Sequence, residues 1–119
     1  MLSTDLRHWI GKTLAEVDTP SLLLDADALS ANIRCMAAFF AGRHCRLRPH
    51  FKSHKCTQIA RLQLEAGAIG ITCAKLGEAE VLADAGIEDI LIANQIVGGT
   101  KMLRLMELAR RARPMVAVD

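Results

Sequence analysis

The sequence lacks the features that mark nucleic-acid-binding, membrane-spanning and secreted proteins. Its 119 residues carry a formal net charge of only +2, which is too little for the extended cationic surface of a nucleic-acid binder. No apolar run approaches the ~20 residues that a membrane span needs, and the N-terminal MLSTDLRHWIGKTLAEVD has no apolar signal-peptide core. We therefore expect a soluble, cytoplasmic protein with neither nucleic acid nor membrane as a partner.

Cysteine motifs and nucleotide-binding glycine motifs are also missing. The four cysteines form no CxxC pair, which argues against a zinc knuckle, a thioredoxin-like redox site and a disulfide scaffold. Neither G-x-x-x-x-G-K-[ST] nor G-x-G-x-x-G occurs, which weakens an interpretation as an ATP- or NAD-binding protein. The chain is instead rich in aliphatic residues, since 51% are hydrophobic and 24% are charged, and this balance excludes a disordered segment.

Short apolar runs alternate with amphipathic segments along the chain. The apolar runs predict strands at 21–25, 46–52, 68–74, 89–93 and 114–118. The amphipathic segments predict helices at 29–40, 57–66, 76–85 and 98–112. Strands that are apolar throughout are typical of parallel sheets, and the helices between them supply the crossovers that parallel pairing requires. The pattern predicts an α/β protein.

The spacing of these units favours part of a barrel. From residue 46 onward the predicted strands begin about every 22 residues, near 46, 68, 89 and 114. A (β/α)₈ barrel uses eight such units over about 250 residues. We therefore interpret the chain as the leading half of a barrel, with about four barrel strands. A small flavodoxin-like sheet is the alternative, because such a sheet closes within about this length.

The most unusual stretch is the basic segment RPHFKSHK at 48–55, which lies at the C-terminal end of a predicted strand. Parallel α/β sheets place their active sites at that end. Three interpretations stay open on the residues alone. The segment is a solvated basic loop, or an anion site built by Arg48, Lys52 and Lys55, or the location of a lysine that forms a Schiff base. The third interpretation requires a lysine that burial keeps neutral, because a neutral amine attacks an aldehyde.

Two histidines and two amides lie at the same predicted strand ends. His50 and His54 are four residues apart, but Pro49 argues against the helix that a zinc-binding pair would need. His54 is either a general base or orienting donor near the reacting lysine, or a packed loop residue. Asn94 and Gln95 follow a predicted strand, where amides either orient a ligand or form a turn.

Four segments resemble the N-terminal half of the D-threonine aldolase and D-serine dehydratase family. They are DTPSLLLD at 18–25, RPHFKSHK at 48–55, GEAE at 77–80 and NQIVG at 94–98. That family has the alanine-racemase-type fold, a pyridoxal-phosphate (β/α)₈ barrel joined to a β domain. The resemblance implies that residues 1–25 contain the strand that links to the β domain, and that residues 26–119 form the partial barrel.

The same resemblance implies roles for individual residues. Lys52 corresponds to the lysine that binds pyridoxal 5'-phosphate, whereas Lys55 is not expected to carry the cofactor. We predict that Lys52 and His54 are catalytic. We predict that the cofactor-binding residues are Lys52, His50, Arg48, Asn94 and Gln95.

The activity that the resemblance implies is that of a pyridoxal-phosphate-dependent lyase acting on a small D-amino acid. An aldolase would cleave D-threonine to glycine and acetaldehyde. The alternatives are a D-serine dehydratase, a non-catalytic pyridoxal-phosphate-binding barrel and a small α/β module that binds a phosphorylated ligand. The family also implies a divalent metal, manganese or zinc, that acts as a Lewis acid. We expect its ligands outside this chain, a homodimer for the full-length protein, and little cofactor binding or activity from residues 1–119 alone.

Overall fold

The computed structural model describes residues 6–119, which form a parallel sheet with helices against one face. The strands are β1 (Ile71–Cys73), β2 (Asp89–Ile92) and β3 (Arg113–Val116), in the spatial order β1-β2-β3. The α-helices are α1 (Ala26–Phe40), α2 (Thr57–Glu65), α3 (Leu76–Asp84) and α4 (Gly99–Leu108). Shorter 3₁₀ turns cover Leu6–Trp9, Leu14–Glu16 and Phe51–Ser53. No helix in this part of the chain has both the length and the apolar character to cross a membrane.

The sheet confirms the predicted α/β class with parallel strands. β1 pairs in parallel with β2, and β2 pairs in parallel with β3. Helix α3 connects the first pair and helix α4 connects the second, so each helix is the crossover that parallel strands need.

The strand predicted at 46–52 is reduced to a single bridge. Residues 47–50 run beside β1, where the N–H of Ile69 donates to the carbonyl of Leu47 at 3.0 Å and the N–H of Thr72 donates to that of Pro49 at 2.8 Å. His50 forms an isolated parallel bridge with Thr72. The ladder is incomplete because Pro49 has no amide hydrogen and the chain turns into a 3₁₀ helix at residue 51.

The strand predicted at 21–25 does not form among the described residues. The segment is extended, but it has no partner strand, and its three leucines (Leu22, Leu23 and Leu24) are exposed. A strand needs a neighbour to accept its backbone hydrogen bonds, and none lies beside this segment. The division of the chain at residue 25 and the link from residues 1–25 to a β domain stay predictions.

The core lies between the sheet and helices α2, α3 and α4. In β2, Ile90 and Ile92 are buried against the helices, while Asp89 and Leu91 are half-buried on the opposite face. The largest fully buried side chains are Ile71, Cys73, Leu82, Ile90, Ile92 and Leu108. Each buried aliphatic side chain contributes about 1.5–3 kcal/mol relative to an exposed one. Helices therefore cover one face of the described sheet, whereas β3 exposes Arg113 and Met115 on the other.

Helix α1 lies apart from this core. It begins at a cap, because the carboxylate of Asp25 accepts a hydrogen bond from the N–H of Ala28 at 2.8 Å. None of its residues is buried. Two of its apolar side chains, Leu29 and Ile33, line a cleft of about 330 Å³ together with Leu47 and Pro49. These side chains therefore face the segment that runs beside β1.

Candidate functional site

The basic segment forms a tight turn at the carboxyl edge of the sheet. Phe51 anchors the turn, because its ring is buried in the core. His50 precedes the turn, and its Nδ1 accepts a hydrogen bond from the N–H of Lys52 at 3.1 Å. The N–H of Lys55 closes the turn by donating to the carbonyl of Phe51 at 2.8 Å. This local structure places Lys52 where strand-like residues 47–50 end.

The expectation that Lys52 is buried is wrong for the described residues. The 3₁₀ turn directs Phe51 into the core and leaves the side chain of Lys52 exposed. Within residues 6–119 the Lys52 ammonium forms no hydrogen bond or ion pair. The structure therefore presents an unpartnered amine at the carboxyl edge of the strands, rather than an amine enclosed in an apolar pocket.

The second lysine of the segment is partnered. The Nζ of Lys55 lies 3.5 Å from Oε1 of Glu78, a carboxylate on α3. The other oxygen of Glu78, Oε2, accepts a hydrogen bond from the N–H of Ala74 at 2.8 Å. The two lysines thus differ in their surroundings, although only two residues separate them.

The two histidines occupy different positions. Burial lowers the pKa of His50, and the positive charge of Lys52 lowers it further, while the carboxylate of Glu78 opposes both effects. His54 lies under the turn, with its ring edge-on to that of Phe51 at a centroid distance of 5.4 Å. Its Nδ1 accepts a hydrogen bond from the N–H of Cys56 at 3.1 Å, and burial lowers its pKa.

The remaining nitrogen of His54 is also turned inward. Nε2 is buried, and so is Oε1 of Gln63 on α2, and neither atom has a hydrogen-bond partner of normal geometry among the described residues. Neither ring nitrogen is therefore presented to a substrate at the carboxyl edge. This geometry favours the packed loop residue over the general base for His54, whose catalytic role stays a prediction.

Arg48 reaches away from Lys52. Its Nη1 lies 2.5 Å from Oδ1 of Asp89 and 3.3 Å from the carbonyl oxygen of Asp89, the first residue of β2. To reach Asp89, the guanidinium passes over Gly70, where an added Cβ would lie 2.0 Å from Nη1. The predicted anion site of Arg48, Lys52 and Lys55 is therefore not assembled, because Arg48 pairs at the amino end of a neighbouring strand.

Asn94 and Gln95 lie at the carboxyl end of β2, as predicted. The side-chain oxygen of Asn94 accepts a hydrogen bond from the N–H of Gln95 at 3.0 Å, and Nε2 of Gln95 donates to Asp119 at 2.8 Å. Both line a cleft of about 410 Å³ together with Lys75 and Lys101. Lys52 is not among the residues that line this cleft, so the two amides and the lysine lie at one edge of the sheet but do not share a cleft.

Sequence reasoning missed Glu78 as a site residue. Its position in α3 contains a signal, since a glutamate three residues beyond the helix-capping position commonly reaches back to a backbone N–H. That signal predicts a bond to the N–H of the capping residue Lys75, whereas the observed bond is to the N–H of Ala74, one residue earlier, and it does not predict the pair with Lys55. In the part of the chain that the structure describes, no three His, Cys, Asp or Glu side chains are grouped to hold a metal ion. The described residues of the candidate site therefore do not fit a metal site.

A family model and individual protein sequences place this chain among the same group of relatives. The model of the family described as "Alanine racemase, N-terminal domain" matches residues 24–118. A D-threonine aldolase of Arthrobacter sp. is 50% identical over 109 residues, which cover 92% of this chain and 29% of that protein. A D-threo-3-hydroxyaspartate dehydratase of Delftia sp. (strain HT23) is 43% identical over 81 residues, covering 68% of this chain and 21% of that protein.

A solved structure agrees with the sequence relatives. The crystal structure of D-threonine aldolase from Filomicrobium marinum matches with a TM-score of 0.86 and 53% sequence identity. The match covers 89% of this chain and 29% of that one. The chain therefore spans less than a third of the length of these relatives.

Proposed function

Because this chain belongs to the alanine racemase N-terminal domain family, we propose that it supplies the cofactor lysine of a pyridoxal-phosphate-dependent D-amino-acid lyase. The cofactor lysine in this proposal is Lys52. Since the chain covers 29% of its aldolase relative, the activity belongs to a complete barrel of which this chain is a part. The predicted resemblance to the D-threonine aldolase family and the alanine-racemase-type fold are confirmed.

The observation that carries the proposal is the contrast between the two lysines of the basic segment. Pyridoxal phosphate has an aldehyde, which requires a primary amine that is free to attack it. Lys55 forms an ion pair with Glu78. Lys52 has no ion-pair partner among residues 6–119 and lies at the carboxyl edge of the strands. A lysine with no ion-pair partner among the described residues therefore lies at the edge where parallel α/β sheets bind their ligands.

The surrounding residues would orient that amine. The Nδ1 of His50 accepts a hydrogen bond from the backbone N–H of Lys52, and the buried ring of Phe51 anchors the turn in the core. When bound, the cofactor supplies an electron sink for the bond that breaks at the α carbon of the substrate. In this proposal His50 keeps its ring nitrogen unprotonated toward the Lys52 N–H, which the lowered pKa of His50 favours.

The favoured reaction is cleavage of D-threonine to glycine and acetaldehyde. It is supported by the 50% identity to a D-threonine aldolase over 92% of this chain. A dehydratase acting on a D-3-hydroxy amino acid such as D-serine is the second candidate, and it is supported by the 43% identity to a D-threo-3-hydroxyaspartate dehydratase. A cytoplasmic location and a homodimeric assembly complete the proposal.

Attachment to Lys52 is tested by incubating the chain with excess pyridoxal phosphate, reducing with borohydride and mapping the peptides. We expect the pyridoxyl group on Lys52, and its loss in Lys52→Arg but not in the matched Lys55→Arg variant. Borohydride reduces the Schiff base irreversibly and so accumulates an adduct even where the chain alone binds the cofactor weakly. Absence of any adduct on wild-type Lys52 would therefore overturn the proposal.

The reaction is tested in a chimera. Residues 24–118 replace the matching segment of the Arthrobacter D-threonine aldolase, with manganese or zinc present. We expect acetaldehyde from D-threonine. Ammonia from D-serine without acetaldehyde from D-threonine would instead identify the dehydratase.

A further inference from the structure

Glu78 connects two loops at the carboxyl edge of the sheet. Its Oε2 accepts the N–H of Ala74 at 2.8 Å, directly after β1, and its Oε1 lies 3.5 Å from the Nζ of Lys55 in the basic turn. The Glu78 side chain is only 12% exposed, whereas that of Lys55 is 62% exposed. The carboxylate is thus largely enclosed and hydrogen-bonded by the protein, whereas the Lys55 side chain reaches it from the surface.

The backbone conformation of Lys55 is unusual for a residue with a side chain. Lys55 has a φ of +49°, in the left-handed region that favours glycine, and it is the one non-glycine residue in residues 6–119 with a positive φ. A lysine there is less favourable than a glycine. This conformation directs the long side chain of Lys55 to Glu78 on α3, while the turn leaves Lys52 without a partner.

The charge of Glu78 also reaches the residue that orients Lys52. The carboxylate opposes the effects of burial and of Lys52 on the His50 imidazole. One half-buried carboxylate therefore contacts Lys55 and acts electrostatically on His50, the two residues that flank the turn carrying Lys52.

We propose that Glu78 is a positioning residue that binds Lys55 in an ion pair and so makes Lys52 the lysine of the segment that reacts with an aldehyde. An ammonium in an ion pair must leave its carboxylate before its nitrogen can attack a carbonyl carbon. The inference rests on the proposed function only for the identity of that aldehyde, since the pair distinguishes the two lysines toward any small aldehyde.

The first test uses formaldehyde with cyanoborohydride on the complete 119-residue chain and needs no cofactor. The amine nitrogen bonds to the formaldehyde carbon, water leaves, and the reductant delivers hydride to that carbon to give a methylamine. We expect Lys55 to be methylated about two- to fivefold more slowly than Lys52, the range that a partly exposed ion pair supports. In Glu78→Gln the two rates should become equal. The amide oxygen of that variant still accepts the N–H of Ala74, so the loop should keep its structure.

Glu80→Gln is the matched control. Glu80 lies on the same helix and also forms an ion pair, with Arg104, but among the described residues it forms no hydrogen bond or ion pair with the basic turn. We expect this variant to keep the wild-type ratio of methylation rates. Equal rates in the wild type, an unchanged ratio in Glu78→Gln, or the same change in Glu80→Gln would overturn the inference.

Two further readouts separate positioning from a general effect on folding. The His50 pKa, measured by NMR, should fall in Glu78→Gln but not in Glu80→Gln, because the opposing carboxylate is lost. If Glu78→Gln fails to fold, raising the salt concentration for the wild-type chain should bring the Lys55 rate toward that of Lys52, since salt screens the pair. A ratio that salt leaves unchanged would contradict the ion pair.

Pyridoxal phosphate then links the inference to the proposed function. After reduction, we expect adducts mainly on Lys52 in the wild type and a rise in the Lys55 share of about two- to fivefold in Glu78→Gln. If the cofactor labels neither lysine but formaldehyde distinguishes them, the proposed function fails and the inference stands. If the cofactor labels Lys52 and the Glu78→Gln distribution is unchanged, the inference fails alone.

Discussion

Replacing Gly70 by alanine should destabilise the fold by about 2–5 kcal/mol, because a Cβ at this position meets the backbone of a neighbouring strand. It would lie 2.0 Å from Nη1 of Arg48, 2.5 Å from the carbonyl oxygen of Asp89 and 2.7 Å from Oδ1 of Asp89. The arginine can swing away, but the carbonyl belongs to β2 and moves only if β1 and β2 separate. The φ of Gly70 is not positive, so alanine itself adds no backbone strain.

The magnitude follows from three terms. Overpacking against a backbone atom costs about 1–3 kcal/mol. Displacing the half-buried Arg48 guanidinium from Asp89 loses a charge-assisted hydrogen bond worth about 1.5–3 kcal/mol. Removing the backbone freedom of glycine in the unfolded chain returns about 0.5–1 kcal/mol. The net loss is about 2–5 kcal/mol.

Urea unfolding followed by circular dichroism measures this loss, with Gly77→Ala as the matched control. Gly77 lies in the first turn of α3, where a Cβ would meet only Nη2 of Arg104 at 3.9 Å. The control should therefore gain about 0.5–1 kcal/mol from helix propensity. The Gly70→Ala midpoint should fall by at least about 1 M urea. A Gly70→Ala chain within about 0.5 kcal/mol of the wild type would refute the close approach of Arg48 and Asp89 over this glycine.

Three other measurements test the core and the titrating groups. Burial lowers the pKa of His54 below its ordinary 6.5, so the native state binds fewer protons than the unfolded chain. The free energy of unfolding should therefore fall as the pH drops from 7 toward 5. The variant His54→Asn should show a weaker pH dependence, and an unchanged slope would contradict the prediction. Burial raises the pKa of the Cys73 thiol to about 11. At pH 8 this thiol should react with a disulfide reagent at least about 100-fold more slowly than the exposed Cys35. Similar rates would show that Cys73 is accessible. Leu108→Ala should lower the free energy of unfolding, measured in urea, by about 2–5 kcal/mol because the Leu108 side chain is fully buried. Leu103→Ala, on the exposed face of α4, should lower it by less than about 0.5 kcal/mol. Equal losses would show that Leu108 is not part of the core.

The helices and the central strands were predictable because their signals are local. The predicted helices at 57–66 and 76–85 agree with α2 and α3 to within one residue, since a glycine follows each of them and ends the helical pattern. The predicted strands at 68–74 and 89–93 contain β1 and β2. Apolar runs between glycines mark both strands without any knowledge of their partners.

The errors lie where a strand depends on its neighbour. The run at 21–25 has the composition of a strand, but composition does not supply a partner for its backbone groups, and none of the described residues does so. The segment at 46–52 has a partner in β1, yet Pro49 and the turn at Phe51 limit it to one bridge. Strand pairing is a tertiary property. Hydrophobic periodicity and composition alone therefore could not show whether residues 21–25 or 46–52 form a paired strand.

The candidate site was predictable as a segment but not as an arrangement. Arg48 finds its partner 41 residues away, and Lys55 finds its partner on another helix, and neither pairing has a signal in the sequence. Residues four positions apart on an extended segment are about 13 Å apart, so Arg48 and Lys52 could not both contact one small anion unless the chain folded back. The chain turns at Phe51–Ser53, but Arg48 reaches Asp89 instead of the turn.

The distribution of these partners explains why a block of like charges is tolerated at the edge of the sheet. Asp89 binds the first cation of the block and Glu78 binds the last, while burial lowers the pKa of His54. Each carboxylate comes from a different element, so the positive charges are drawn apart instead of converging. Lys52 is then the cation of the block that no acid in the described chain neutralises, and an amine in that position can exchange its proton for a bond to carbon without first breaking an ion pair.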